Sequence, residues 1–143
     1  QLSKGFVQWR EWANNNPDMS PGRLLGLTCP HLSPEECSAY DAPFPDVRFK
    51  AGVRRFPKMV PDHPDAPGAR LSRDARRWLA ESWKGRSFMA IGMQDPVLGP
   101  AVMRSLRNYI RNCPEPFELS DAGHFVPEWG ATIAEKALAS FNG

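Results

Sequence analysis

The residues whose types could do chemistry sit in two short stretches. Asp121-Ala122-Gly123-His124-Phe125-Val126-Pro127-Glu128 leads a small residue and a glycine into a histidine, then into a Pro-Glu pair that starts a helix. That order predicts His124 on a short loop between a strand and a helix, where side chains that do chemistry are commonly carried. Phe88-Met89-Ala90-Ile91-Gly92-Met93-Gln94-Asp95-Pro96 reads as a buried apolar strand that runs out into Gly92, then Asp95, then Pro96. If the two strands pair in parallel, Asp95 and His124 become neighbours. They would then form the acid–histidine half of a nucleophile–histidine–acid triad. Taken singly each signal is plain: His124 could be a loop histidine bonded to backbone, and Asp95-Pro96 an ordinary turn or helix cap.

The elements that must position this pair follow from the hydrophobic period. Ser72 to Trp83 reads as a helix with Ala75, Trp78, Leu79 and Trp83 on one side. Ser87–Gly92 is a strand whose continuous apolar run suits a parallel sheet buried on both faces. Pro100–Arg111 is helical, with Val102, Leu106, Tyr109 and Ile110 as its core face, and Phe117–Leu119 is a short strand. Pro127–Phe141 is a last helix, apolar at Ile133, Ala134, Ala137, Leu138 and Phe141. Helix, strand, helix, strand, helix is an α/β pattern. A sheet of two parallel strands leaves both edges unpaired and its faces uncovered, so further strands are expected from residues before Gln1.

The first 60 residues read differently. Phe6, Trp9 and Trp12 recur on one helical face, and Asn14-Asn15-Asn16-Pro17 ends that helix. Ser20-Pro21 caps a second, with Leu24, Leu25 and Leu27 apolar. Ser33-Pro34-Glu35-Glu36 is a capping box for a third, which runs to about Tyr40. A fourth spans Val47 to about Phe56 and is ended by Pro57. A Pro/Gly/Asp-rich linker at residues 61–70 separates a helical subdomain, 1–62, from an α/β part, 63–143.

Composition excludes several classes. The 143 residues carry a net charge of only +2, with 41% hydrophobic and 24% charged residues, so this is ordinary globular material without a nucleic-acid footprint. No apolar run approaches the roughly 18 residues that a membrane helix needs. Cys29, Cys37 and Cys113 lack metal-ligand spacing and read as thiols in a reducing, cytoplasmic compartment. The start at Gln1, with neither Met nor a signal-peptide pattern, reads as a fragment or processed product.

Several stretches together carry a family resemblance. Ala39-Tyr40-Asp41-Ala42-Pro43-Phe44-Pro45-Asp46 and Ala51-Gly52-Val53-Arg54-Arg55-Phe56-Pro57-Lys58-Met59-Val60 resemble the cap domain of haloalkane dehalogenases. Phe88 to Asp95, Leu98-Gly99-Pro100, Cys113-Pro114-Glu115-Pro116 and Ala122-Gly123-His124-Phe125 resemble the last third of the same enzymes. The similarity covers nearly the whole chain and is closest to the Xanthobacter-type branch. Ala-Gly-His-Phe by itself occurs across the α/β-hydrolases.

The resemblance implies an α/β-hydrolase fold, with 1–62 as a helical cap and 63–143 as the closing part of the core. It implies an enzyme that needs no cofactor or metal and works on a small apolar halogenated substrate and water. In that family an aspartate attacks carbon and displaces halide, and a histidine then activates water against the resulting ester. By motif position His124 would be the base and Asp95 its partner, in the order acid then histidine usual for the fold. Trp9 falls where this branch has a halide-binding cap tryptophan, and Phe6, Val53, Phe56, Pro57, Val60, Val97 and Leu98 would line an apolar pocket.

One departure stands out. The family's nucleophile lies on a strand–elbow–helix, and this sequence has none; Asp41, Asp46 and Asp121 do not fit it. The chain is therefore expected to be inactive until an N-terminal half supplies that residue. Two alternatives remain at this point. An epoxide hydrolase needs a pair of cap tyrosines, but the only tyrosines are Tyr40 and Tyr109, and Tyr109 lies in a late helix. The other is a non-catalytic truncated fragment, which the presence of an elbow Asp-Trp on a second chain or upstream would distinguish.

Overall fold

The protein, seen in a computed structural model, is described over residues 2–142. They form two compact units, one up to Ser72 and one from Arg73 on.

The first unit is helical. Helix α1 (Lys4–Asn15) is capped by Ser3, whose hydroxyl accepts the Phe6 N–H at 3.2 Å. Helix α2 (Pro21–Thr28) is capped by Ser20, and α3 (Pro34–Asp41) by the full Ser33–Glu36 capping box. A 3-10 turn at Val47–Lys50 leads into α4 (Ala51–Met59). The expectation that Pro57 ends this helix is corrected: Pro57 is buried inside its last turn. Proline there leaves only the Val53 carbonyl without its usual partner, a loss that a helix end tolerates better than its middle.

Helix α2 crosses α3 where Gly22 lies against the Cys37 carbonyl, and α1 packs against α4. The buried apolar residues of this unit include Ala13, Met19, Leu25, Cys29, Ala66 and Ala69, none of them aromatic. The expected tryptophan face of α1 is half open instead, with Trp9 41% and Trp12 43% exposed, and Leu27 of α2 is out in solvent. Lys50 is buried and its ammonium donates to Asp18 Oδ1 at 2.6 Å, which pairs the charge.

Helix α5 (Ala69–Glu81) starts inside the expected linker and runs across the junction of the two units. In the second unit β1 (Ala90–Gly92) pairs in parallel with β2 (Phe117–Leu119), in the register Ala90↔Phe117, Ile91↔Glu118 and Gly92↔Leu119. The first strand is shorter than the expected Ser87–Gly92, because only its end meets the partner strand. Helix α6 (Pro100–Arg107) lies between them, and α7 (Gly130–Asn142) follows a 3-10 turn at Val126–Trp129.

The core of this unit is Met89, Ile91 and Cys113, with Met93, Met103 and Ile110 packed against it. That corrects the assigned face in part: Val102, Leu106 and Tyr109 are exposed and Met103 carries the packing of α6, whereas Ile110, just beyond the helix, packs on the core as expected. The helix also ends earlier than expected. Arg107 Nε turns back onto the Cys113 and Pro114 carbonyls at 3.2 and 2.8 Å, and Asn112 takes the left-handed conformation that asparagine tolerates.

Candidate active site

Both strands run in the same direction, so the loops at their carboxyl ends emerge side by side, where open α/β sheets bind ligands. The loop after β1 carries Asp95 and the loop after β2 carries His124. Beyond the paired residues the contact continues: Met93 N–H donates to the Leu119 carbonyl, and Gln94 N–H to the Ala122 carbonyl, each at 2.9 Å. The Gln94 side-chain amide donates to the Ser120 carbonyl at 3.0 Å. Three bonds thus tie one loop to the other just before the two functional side chains.

Asp95 is buried, its side chain 4% exposed. Its Oδ1 accepts the Val97 N–H at 2.7 Å and the Leu98 N–H at 2.9 Å. His124 Nδ1 lies 3.0 Å from Oδ1 and 3.1 Å from Oδ2. Burial alone would push the Asp95 carboxyl up. The Leu98 and Val97 N–H groups, and then the imidazole, outweigh it and hold the carboxyl below its ordinary range. An ionised carboxylate can only accept, so Nδ1 is the donor, and the Nε2 lone pair of the neutral ring is left to take a proton. Nε2 bonds to no described residue, and the ring is 30% exposed. Phe125 holds it edge-on, with the ring centroids 5.3 Å apart.

The geometry brings together Asp95, His124 and the backbone of Val97 and Leu98. Val97 and Leu98, whose side chains are expected in a pocket, are 45% and 48% exposed as residues. Trp9 and Phe6 pack on each other at 5.7 Å on α1 in the first unit. Of the α4 residues Phe56 is 71% exposed, Pro57 is buried, and Val53 is half-buried, as is Val60 just beyond the helix. Two clefts in this unit, of about 290 and 560 Å³, are lined by other residues, among them Asn14, Arg54 and Lys58 in the first and Trp12, Met19 and Leu24 in the second. Asp41, weighed above as a nucleophile, is committed elsewhere: it accepts from Ser20 Oγ at 2.7 Å and from the Gly22 N–H at 3.0 Å. Asp46 caps the 3-10 turn and holds Arg48.

The sequence set a turn or cap at Asp95-Pro96 against the acid role, whereas Asp95 does both, accepting from the Val97 and Leu98 amides while it meets His124. The signal was present in Asp95-Pro96-Val97-Leu98, since an aspartate before a proline commonly bonds the amides two and three residues on.

No family model matches the chain. Individual relatives do. Haloalkane dehalogenase 1 of Mycobacterium tuberculosis (strain ATCC 25618 / H37Rv) is 36% identical over 137 residues, 94% of this chain and 45% of the relative. Haloalkane dehalogenase of Psychrobacter cryohalolentis is 30% identical over 144 residues, 98% of this chain and 46% of the relative. Among solved structures, the tetrameric haloalkane dehalogenase DpaA of Paraglaciecola agarilytica superimposes with a TM-score of 0.92 at 40% identity, covering 97% of this chain and 47% of that one. Dehalogenase DatA of Agrobacterium tumefaciens, at 21% identity and a TM-score of 0.71, shares the fold. Along nearly its whole length the chain is similar to haloalkane dehalogenases, its fold is that of the α/β-hydrolases, and it spans about half the length of the curated relatives it matches.

Proposed function

We propose that this chain supplies the acid, the base and the cap of a hydrolase that converts a haloalkane and water into an alcohol, a halide ion and a proton. The observation that carries the reading is the His124–Asp95 contact at adjacent strand ends, in a chain 40% identical to a haloalkane dehalogenase of the same fold. Residues 1–62 serve as the cap and 63–143 as the closing part of the core.

The nucleophile is an aspartate outside this chain. Its oxygen attacks the carbon, the carbon–halogen bond breaks, and the halide leaves with the bonding pair. The Trp9 indole N–H, a donor that accepts nothing, stabilises that departing charge. Phe6, Val53, Phe56, Pro57, Val60, Val97 and Leu98 contribute apolar surface suited to an uncharged substrate. His124 Nε2 then takes a proton from water, whose oxygen adds to the ester carbonyl carbon and frees the alcohol and the carboxylate. Asp95 holds the tautomer that leaves Nε2 able to do this and balances the imidazolium that forms.

The test uses the chain complemented with a nucleophile-bearing half. In His124→Gln, attack on carbon survives and hydrolysis loses a general base worth about 10²–10⁴-fold. The alkyl ester then accumulates, and one halide is released per site before turnover stalls. In Trp9→Phe the donor is lost and most of the ring is kept, so the ester forms slowly and does not build up. Single-turnover mass spectrometry reads both. Ester trapped in Trp9→Phe but not in His124→Gln overturns the assignment.

A further inference from the structure

From the backbone packed around the Asp95–His124 pair we infer that Gly92 and Gly99 are positioning residues: the absence of a side chain at each sets the distance between the carboxylate and the imidazole. The inference rests on the pair being the working one, and adds what holds it at bonding distance.

Gly92 is the last residue of β1 and is buried. A Cβ there would lie 2.6 Å from the Gly123 carbonyl oxygen, 2.7 Å from that of Ala122 and 3.1 Å from the Ala122 carbonyl carbon. All three are backbone atoms, which cannot swing aside as the end of a flexible side chain does. They belong to the two residues that immediately precede His124. Gly92 also opens the turn that carries the acid, since its carbonyl accepts the Asp95 N–H at 3.2 Å. One residue therefore touches the backbone on both sides of the pair.

Gly99 acts from the far side. It is buried at the start of α6, and a Cβ there would lie 2.2 Å from the Asp95 carbonyl oxygen. The turn from Asp95 to Gly99 includes the Val97 and Leu98 amides that grip the carboxylate. Neither glycine has the positive φ that would explain it by backbone conformation; both are explained by close approach. By contrast, a Cβ at Gly130, where α7 begins in the same unit, would meet nothing within 4 Å.

Size decides the consequence. To bring the clash at position 92 up to the 3.0–3.4 Å of the tightest ordinary Cβ contacts, the Ala122–Gly123 backbone must retreat by about 0.4–0.8 Å. The Nδ1–carboxylate distances start at 3.0 and 3.1 Å, so a retreat of that size directed away from Asp95 carries them past the roughly 3.2 Å limit of a good N–H···O bond. The chain can keep its fold while the pair comes apart.

The experiment is ¹⁵N NMR of the full chain, labelled at histidine and complemented with an unlabelled nucleophile-bearing half, read in the neutral-imidazole range as the proportion of Nδ1–H to Nε2–H tautomer. An imidazole released into water favours Nε2–H, so the far-UV circular dichroism of each variant is read alongside, and a change of tautomer counts only where the fold matches the parent. The parent shows Nδ1–H. Asp95→Asn keeps an oxygen for the Val97 and Leu98 amides but turns a donor toward the ring, and so switches His124 to Nε2–H. Gly92→Ala and Gly99→Ala lose the Nδ1–H signal and gain Nε2–H, while Gly130→Ala matches the parent. If Asp95→Asn leaves the parent pattern unchanged, the pair itself is misread and the inference falls with it. If Asp95→Asn switches the ring and both glycine variants keep a single Nδ1–H form, only the glycine assignment falls. Loss of fold in both Gly92→Ala and Gly99→Ala, with Gly130→Ala folded, also overturns it, because a local displacement is what is assigned.

Discussion

At Asp95 burial and hydrogen bonding pull in opposite directions, and hydrogen bonding wins. The folded carboxyl is held below its ordinary range, so the stability it contributes is fully present above the unfolded value of about 3.9 and is lost as pH falls through the folded value. Asp41, Asp46, Asp62 and Glu36 are also held low by their partners and lose stability in the same direction. Asp95→Asn should therefore make acid unfolding shallower without abolishing it, by at most one proton's worth of slope, about 1.4 kcal/mol per pH unit. Urea midpoints taken from pH 7 to pH 2 check this, and an unchanged slope refutes it. Residue types made the Asp95–His124 pair legible in the sequence. The Val97 and Leu98 amides were less so, because a backbone donor has no letter of its own.

Among the elements, the starts of α2, α3 and α6, each marked by a proline at the first position, were the most legible and the helix faces the least. Ser20 and Ser33 cap as expected, since a cap depends only on residues three apart in sequence. Burial of a face depends on what lies opposite, so α6 packs through Met103 and leaves Val102 outside. The same distinction separates two glycines in helices of the first unit. A Cβ at Gly22 would fall 1.9 Å from the Cys37 carbonyl of α3, and one at Gly52 would meet nothing within 4 Å. Gly22→Ala should destabilise by about 1–3 kcal/mol or more through overpacking of α2 on α3. Gly52→Ala should stabilise by about 0.4–1 kcal/mol through lost freedom of the unfolded chain. Chemical denaturation distinguishes them; equal effects would mean that α2 and α3 are not in close contact.

At the scale of the whole chain, large apolar side chains lie open on both units: Leu27 75%, Phe56 71% and Leu71 73% exposed in the first, Trp78 51% and Leu138 62% in the second. The described sheet has two strands. Faces and edges of this kind drive association in water. The chain alone should therefore self-associate at micromolar concentrations, and light scattering should fall when a complementary nucleophile-bearing half is added. A monodisperse monomer that unfolds cooperatively contradicts this.

By itself the sequence determined the α/β order, the caps of α2 and α3, and which acid and which histidine could meet if the strands ran parallel. Each of these depends on residue type and local spacing, which a single chain carries in full. Only the tertiary structure decided how long the strands are, which side of α6 is core and how closely the Asp95 and His124 loops approach. Those depend on atoms distant in sequence, such as the Ala122 and Gly123 carbonyls resting on Gly92, where the contact is made by backbone that every residue shares.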